Sequence, residues 1–165
     1  MKKNVWVIKL GGQAILSQTH IDSLMGAIKS LIDKGVVLVV VHGGGPQADK
    51  LQNHLGIPIK KINGRRITDK KPLEVIKMVY AGTINKNLVS SAVKHQVKAV
   101  GISGIDAQLA VVSKRPIQKV VDQKTGKTQV IDFGYVGDVK SINVKILNVL
   151  LSNSYLPIVA CLGID

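Results

Sequence analysis

The sequence contains little cysteine, few aromatic residues and no long hydrophobic run. Cys161 is the only cysteine among 165 residues, which excludes an internal disulfide and favours a compartment where thiols stay reduced. The longest apolar run, residues 36–41, is far shorter than the roughly 20 residues of a membrane-spanning helix. Residues 1–4 lead directly into a strand-like segment and lack the long apolar region of a secretory signal. We therefore predict a cytoplasmic globular domain with no membrane partner.

Acidic residues are also scarce. There are 10 Asp and Glu against 23 Lys and Arg, and the net charge is +13. Such a charge can attract a polyanion, but the basic residues are dispersed, aromatics amount to 3%, and no nucleic-acid-binding motif is present. We predict no nucleic-acid partner and interpret the charge as a solvated basic surface, or as that of a chain missing an acidic remainder. Small anions such as phosphate and carboxylates would suit the same charge.

Short apolar runs alternate along the chain with segments of helical periodicity. The predicted strands are residues 5–10, 36–41, 97–102 and 156–162. The predicted helices are residues 19–35, 47–55, 72–95 and 143–151. Thr19 and Asp22 are expected to cap the first helix, Gly35 to end it, Gly82 to interrupt the third, and Asn143 to cap the last. The alternation predicts an α/β fold with a mostly parallel central sheet between helices, an αβα sandwich.

Two further segments predict antiparallel hairpins. Residues 57–67 are expected to turn near Asn63-Gly64, a dipeptide typical of tight hairpins. Residues 110–139 alternate in polarity and contain Thr125-Gly126, which predicts a hairpin at an edge of the sheet.

Lys9 stands at the end of the first predicted strand, just before Gly11 and Gly12. Glycines let backbone amides approach an anion closely, and a lysine adds a mobile positive charge, so the segment suits a phosphoryl group. Taken alone, the segment slightly favours a surface lysine beside a plain turn.

The run His42-Gly43-Gly44-Gly45-Pro46 is more specific. Three glycines after an interior strand and before a helix expose N–H groups at the positive end of the helix, where a carboxylate or phosphate oxygen is stabilised. The spacing differs from the Gly-x-Gly-x-x-Gly of dinucleotide-binding folds, and the Gly-x-Ser-x-Gly of hydrolases is absent. We therefore favour anion binding over a purely structural turn.

Arg65 and Arg66 lie at the end of the first predicted hairpin, on opposite faces of the strand, so only one can point into a cleft. An arginine there matches a carboxylate bidentately, although a solvated pair is an equal alternative. Asn85, on a predicted helix, is interpreted as structural or interfacial. The histidines lack metal-ligand spacing and no Cys/His cluster exists, so we predict no metal held by the protein.

In order, these segments resemble those of the amino acid kinase family, and within it the acetylglutamate kinases. The resemblance covers nearly the entire chain, so the ordered set is far more specific than one glycine turn. The matching segments are residues 8–12, 41–46, 63–69, 81–86, 94–101, 134–137 and 155–159.

The resemblance implies a reaction in which ATP, with Mg²⁺, phosphorylates the γ-carboxylate of N-acetyl-L-glutamate in arginine biosynthesis. Lys9 would then stabilise charge on the transferring phosphoryl group. Gly11 and Gly12 would bind phosphate. Gly44 and Gly45 would hold the substrate, and Arg66 would pair with its α-carboxylate.

The family pattern continues beyond this sequence with an Asn-x-Asn-Ala-Asp segment and a nucleotide-binding lobe that carries a second active-site lysine. The chain is therefore expected to be a single N-terminal acyl-amino-acid-binding domain, residues 1–165, without the nucleotide-binding C-terminal domain. On its own it is expected to be inactive.

Two alternatives to an acetylglutamate kinase stay open. The related aminoadipate kinase of lysine biosynthesis acts on a substrate carried by an acidic protein, which the basic charge would suit. A non-catalytic remnant that binds an acyl-amino acid or assembles with another chain is the other.

The resemblance also implies an assembly. Arginine-inhibited acetylglutamate kinases carry an extra helix before the first strand, and residues 1–4 are too few to form one. An arginine-insensitive homodimer, joined around residues 72–95, is expected.

Overall fold

The structure, a computed structural model, describes residues 4–123 and 125–165. Its strands are β1 (Val5–Leu10), β2 (Val37–His42), β3 (Lys61–Ile62), β4 (Arg65–Arg66), β5 (Ala99–Ser103), β6 (Ala110–Lys114), β7 (Gln118–Val121), β8 (Thr128–Ile131), β9 (Gly137–Ile142) and β10 (Leu156–Ala160). Its α-helices are α1 (Gln18–Asp33), α2 (Gly45–His54), α3 (Lys70–Lys77), α4 (Asn85–Lys94) and α5 (Lys145–Ser152). The expectation that residues 1–4 are too few to form an extra helix concerns mainly residues 1–3, which lie outside the described residues.

The central sheet has four parallel strands in the order β1-β2-β10-β5. Val40 of β2 pairs with Ile8 of β1 on one side and Ile158 of β10 on the other. Because β2 and β10 are interior strands, both faces of each are covered, which is why their sequences are continuously apolar. The predicted α/β fold with a mostly parallel sheet is confirmed.

The two faces of the sheet differ in the number of hydrophobic side chains that are buried against them. Leu38 and Val40 belong to the larger core, which packs against α1, α3 and α4. Val39 faces the other way and joins a smaller cluster with Leu109 and Val159, against which partly buried residues of α5 pack. The sheet is thus sandwiched between helices, with most of the core on one side.

The start of α1 differs from the prediction. Ser17 is the N-cap residue, and its hydroxyl accepts a hydrogen bond from the His20 N–H at 3.2 Å. Thr19 and Asp22 lie inside the helix, and the predicted capping pair is wrong because the N-cap lies two residues before Thr19 and the helix begins at Gln18. Gly35 does end the helix, with a φ of +81° that favours glycine.

The predicted interruption near Gly82 is a π-helical segment, Met78–Ile84, between α3 and α4. The chain stays helical through this segment, and the π-turn widens the helix instead of breaking it. Val79 and Ile84 of this segment are buried in the larger core.

Both predicted hairpins are present. In the first, Ile62 pairs with Arg65 around Asn63 and Gly64, whose φ values of +49° and +76° are those of the favoured two-residue turn. In the second region β7 pairs with β8 and β6 with β9, as two-stranded sheets separate from the central one, so the predicted position of this hairpin at an edge of the central sheet is wrong. The two regions meet where the Thr68 N–H donates to the Phe133 carbonyl at 2.9 Å.

Candidate functional site

Two glycine segments meet at the carboxyl ends of β1 and β2. Leu10 and His42 are register partners in the sheet, and the Gly43 N–H donates to the Leu10 carbonyl at 3.2 Å. A Cβ at Gly12 would lie 2.5 Å from Pro46 Cδ and 3.2 Å from the Gly45 nitrogen. The two turns are therefore in contact, and Gly12 is required for that contact. Parallel strand ends are where open α/β sheets bind ligands.

Gln47 ties the two segments together through its side-chain amide. Its Nε2 donates to the Gly12 carbonyl at 2.9 Å and to the Ile15 carbonyl at 3.0 Å. Among the described residues, its Oε1 is a buried oxygen without a hydrogen-bond partner. The sequence analysis missed Gln47, because only the folded chain brings the first turn of α2 beside the turn after β1.

Lys9 places its ammonium group at the same edge of the sheet. Its Nζ lies 3.8 Å from the position that a Cβ on Gly11 would occupy. Burial raises the pKa of the Cys161 thiol just after β10, and the positive charge of Lys9 opposes that shift. The Lys9 ammonium group therefore lies beside the turn after β1, and its charge acts on the residue that follows β10.

Gly44 and Gly45, in the turn after β2, differ in how closely other atoms surround them. A Cβ at Gly44 would lie 2.1 Å from Ile84 Cδ1 and 3.0 Å from Tyr80 Cε1, so this position packs tightly on the π-helical segment. A Cβ at Gly45 would meet no atom within 4 Å, so the space beside Gly45 is open. Because α2 begins at Gly45, the N–H groups of its first turn lack intrahelical partners and mark the positive end of the helix.

Of the two adjacent arginines, only Arg66 reaches this site. Its side chain is 12% exposed and donates to the Gly45 carbonyl at 3.2 Å and to Asp49 Oδ1 at 2.5 Å. It also donates to the Gln52 side-chain oxygen. Arg65 is exposed, as expected for a neighbour on the other face of the strand.

Asp49 is a second residue that the sequence analysis missed. It bridges Arg66 and Lys61, whose Nζ lies 2.5 Å from Asp49 Oδ2. Partial burial acts to raise the pKa of Asp49, but hydrogen bonds from Lys61 and Arg66 outweigh it, and the pKa lies below its usual value. The Arg66 guanidinium is thus held beside the glycine turn by a charged carboxylate of the chain itself.

A sequence profile of the amino acid kinase family matches residues 4–165. The chain belongs to this family. It is 38% identical over 159 residues to the acetylglutamate kinase of Methanothermobacter thermautotrophicus, covering 96% of this chain and 54% of that protein. It is 39% identical over 164 residues to the acetylglutamate kinase of Methanocorpusculum labreanum, covering 99% of this chain and 55% of that protein. The chain spans about half the length of these curated relatives.

Solved structures with the family fold superpose on the same region. The smu.665 protein of Streptococcus mutans matches with a TM-score of 0.73 and 30% identity, over 94% of this chain and 58% of that one. The N-acetylglutamate synthase of Neisseria gonorrhoeae matches with a TM-score of 0.72 and 22% identity, over 98% of this chain and 34% of that one. The second likeness bears on the fold alone.

Within residues 4–123 and 125–165, no group of three or more His, Cys, Asp or Glu side chains is placed to hold a metal ion. The same residues include no helix that is both long and apolar enough to cross a membrane.

Proposed function

We propose that this chain is the substrate-binding half of a phosphotransferase of the acetylglutamate kinase type, which phosphorylates the γ-carboxylate of N-acetyl-L-glutamate at the expense of ATP. The observation that carries the proposal is the contact of Gly12 with Gly45 and Pro46, with Arg66 bonded to the Gly45 carbonyl. This arrangement would offer an anionic substrate two glycine turns, one helix N-terminus and the Arg66 guanidinium, with the Lys9 ammonium group beside Gly11 of the first turn.

Each residue has a role that its position supports. Lys9 would neutralise charge on the transferring phosphoryl group, and Gly11 and Gly12 would bind phosphate oxygens through their amides. Gly44 and Gly45 would hold the acyl-amino acid at the start of α2. Phosphoryl transfer needs positioning and charge neutralisation more than an activated side chain, so the substrate carboxylate itself attacks.

Arg66 would pair with the α-carboxylate of the substrate. Two of its five N–H donors already bond to the Gly45 carbonyl and Asp49, and a third bonds to Gln52. A substrate carboxylate would therefore share the guanidinium with Asp49 or displace it. Asp49 would keep Arg66 oriented and charge-balanced while the site is empty.

The nucleotide would be held mainly by sequence corresponding to the other half of the relatives, since this chain matches about half of each. Magnesium-ATP supplies the phosphoryl group when bound, and the Mg²⁺ would arrive on the nucleotide phosphates. The described residues offer that phosphate Lys9 and the amides of Gly11 and Gly12, which fit an anion but not a metal ion.

Calorimetry with separate ligands tests the proposal. We expect the isolated chain to bind N-acetyl-L-glutamate weakly, because the glycine turns and Arg66 are present. We expect no ATP binding at ordinary affinity, because the nucleotide would be held mainly elsewhere. Micromolar binding of ATP, or no binding of N-acetyl-L-glutamate at millimolar concentration, would contradict the proposal.

The two arginines provide a matched pair of variants. Arg66→Lys is expected to weaken N-acetyl-L-glutamate binding about tenfold, or about 1.4 kcal/mol, because lysine cannot reproduce a planar two-pronged contact. Arg65→Lys, the same change one residue away on an exposed side chain, is expected to leave the dissociation constant unchanged. Titration of both variants decides the assignment, and the reverse ranking would show that the wrong arginine was chosen.

One observation favours a second candidate. The net charge of +13 would suit an aminoadipate kinase whose substrate is carried on an acidic protein. Tighter binding of a carrier-linked aminoadipate than of N-acetyl-L-glutamate, at physiological salt, would favour that function. A remnant that only binds or assembles would show no turnover when supplied with a nucleotide lobe.

We also propose the expected homodimer, joined through the helices between residues 72 and 95. Met78 and Val93 in this region expose 54% and 58% of their surface, which leaves apolar area for a second copy to cover.

A further inference from the structure

Two polar side chains are completely enclosed beneath the glycine turn that follows β2. His42, the last residue of β2, is 0% exposed, and Asn85, the first residue of α4, is 1% exposed. Asn85 Nδ2 lies 3.1 Å from His42 Nε2, 2.9 Å from the Ile158 carbonyl oxygen and 3.3 Å from the Ile102 carbonyl oxygen. Buried polar groups persist only when such partners satisfy them. Asn85 therefore links β2, β10 and β5.

These partners determine the orientation of the Asn85 amide. The two strand carbonyls can only accept hydrogen bonds, so the Asn85 nitrogen, and not its oxygen, must face them. The amide has two N–H groups and three acceptors within reach, so the two shortest contacts, 2.9 Å to the Ile158 carbonyl and 3.1 Å to His42 Nε2, take one each, and the longer contact to Ile102 shares one of them. His42 Nε2 is then an acceptor and carries no proton.

The other ring nitrogen of His42 agrees with this assignment. His42 Nδ1 lies 2.9 Å from the Gly43 carbonyl oxygen, which accepts, so Nδ1 must carry the proton. The ring is therefore neutral, with its hydrogen on Nδ1. A doubly protonated ring would place an N–H donor against the N–H donor of Asn85.

The strand opposite makes room for Asn85. A Cβ at Gly101, in the middle of β5, would lie 1.9 Å from Asn85 Oδ1 and 2.9 Å from its Cγ. Any side chain at position 101 would displace the Asn85 amide. Gly101 and Asn85 are therefore packed directly against each other, although they lie 16 residues apart in the sequence.

The protonation state of His42 affects the candidate site because its ring is hydrogen-bonded to the Gly43 carbonyl. The His42 Nδ1–H holds that oxygen towards the buried ring, and in a trans peptide the N–H of the next residue points the opposite way. The Gly44 N–H is thereby directed away from the buried pair. The Gly43 N–H is also fixed, on the Leu10 carbonyl.

We propose that Asn85 is a positioning residue: it fixes the Nδ1–H form of His42, and His42 in turn orients the peptide between Gly43 and Gly44 for the acyl-amino acid anion. The ligand in this inference rests on the proposed function. The orientation of the turn by Asn85 and His42 does not, because it follows from contacts within the chain alone.

The first test needs no variant. The ¹⁵N chemical shifts of the His42 ring in the unmodified chain are expected to report a protonated Nδ1 and an unprotonated Nε2. A ring protonated on Nε2, or an equal mixture of the two neutral forms, would overturn the proposal.

The second test compares Asn85→Asp with Asn87→Asp, the same change at an exposed position of α4. A carboxylate at position 85 can only accept, so His42 is expected to become protonated on both nitrogens, with faster hydrogen exchange at the Gly44 and Gly45 amides. N-acetyl-L-glutamate binding is expected to weaken about tenfold, or about 1.4 kcal/mol. Asn87→Asp is expected to match the unmodified chain in all three measurements.

The outcomes separate this inference from the proposed function. Lower stability of Asn85→Asp with unchanged amide exchange at the turn would mean that Asn85 only fills a buried space, and would overturn the positioning role. If the unmodified chain binds no N-acetyl-L-glutamate, the proposed function fails, and the ring shifts and amide exchange still decide the role of Asn85. If Asn85→Asp does not fold, the ring shifts of the unmodified chain decide it.

Discussion

Lys9→Ala is expected to lower the rate of phosphoryl transfer by about 10²–10³-fold, the usual loss when one preorganised charge contact is removed. The ammonium group of Lys9 lies beside Gly11 at the edge of the sheet where the two glycine turns meet. Its charge is most useful in the transition state, so turnover should fall far more than substrate affinity.

The measurement requires a complete enzyme. A fusion of this chain to the remaining half of the Methanothermobacter thermautotrophicus acetylglutamate kinase, which is 38% identical over the shared part, would provide one. Lys34→Ala, which removes the same charge from an exposed position after α1, is the matched control and should retain full turnover. A rise in the Michaelis constant alone would make Lys9 a binding residue and reject its catalytic role.

Gly12→Ala is expected to destabilise the chain by about 1–3 kcal/mol, the typical cost of forcing an extra methyl group into a packed site. The new Cβ would lie 2.5 Å from Cδ of the rigid Pro46 ring and 3.1 Å from Gln47 Oε1. Relief requires the two glycine turns to separate, so N-acetyl-L-glutamate binding should be lost as well.

Gly11→Ala is the control for this prediction. Gly11 has extended backbone angles, with φ of −73° and ψ of 154°, and an added Cβ would approach only Lys9 Nζ, at 3.8 Å. Urea unfolding of the two variants should therefore give a large shift of the midpoint for position 12 and almost none for position 11. Equal shifts would mean that the contact between the turns does not stabilise the fold.

The parts of the fold that were predictable depend on local pattern. The apolar run of β2 indicated an interior strand, and Asn63-Gly64 indicated a tight turn, because both follow from burial and backbone preference over a few residues. The start of α1 was misjudged because Ser17, Thr19 and Asp22 are all good capping residues, and only the backbone conformation identifies the one that caps.

Residues of the candidate site could be proposed from the sequence only where glycine and positive charge occur in a recognisable pattern. Gly11, Gly12, Gly44 and Gly45 could be proposed because glycine runs after strands have few other uses. The partners that hold them could not be predicted. Gln47 and Asp49 are ordinary polar residues of a helix, and the neighbours that give them a role, Gly12 and Arg66, are brought close only by the fold.

The position of β10 has a consequence for how the chain is made. Residues leave the ribosome in order, so β1, β2 and β5 all emerge well before β10, yet β10 lies between β2 and β5. Until Leu156–Ala160 emerges, the Ile158 position beside Val40 is empty and the sheet remains in two parts. During synthesis the unpaired edges of β2 and β5 are thus open to mispairing, and a ribosome-associated chaperone that covers exposed apolar strands would have its greatest effect in this interval.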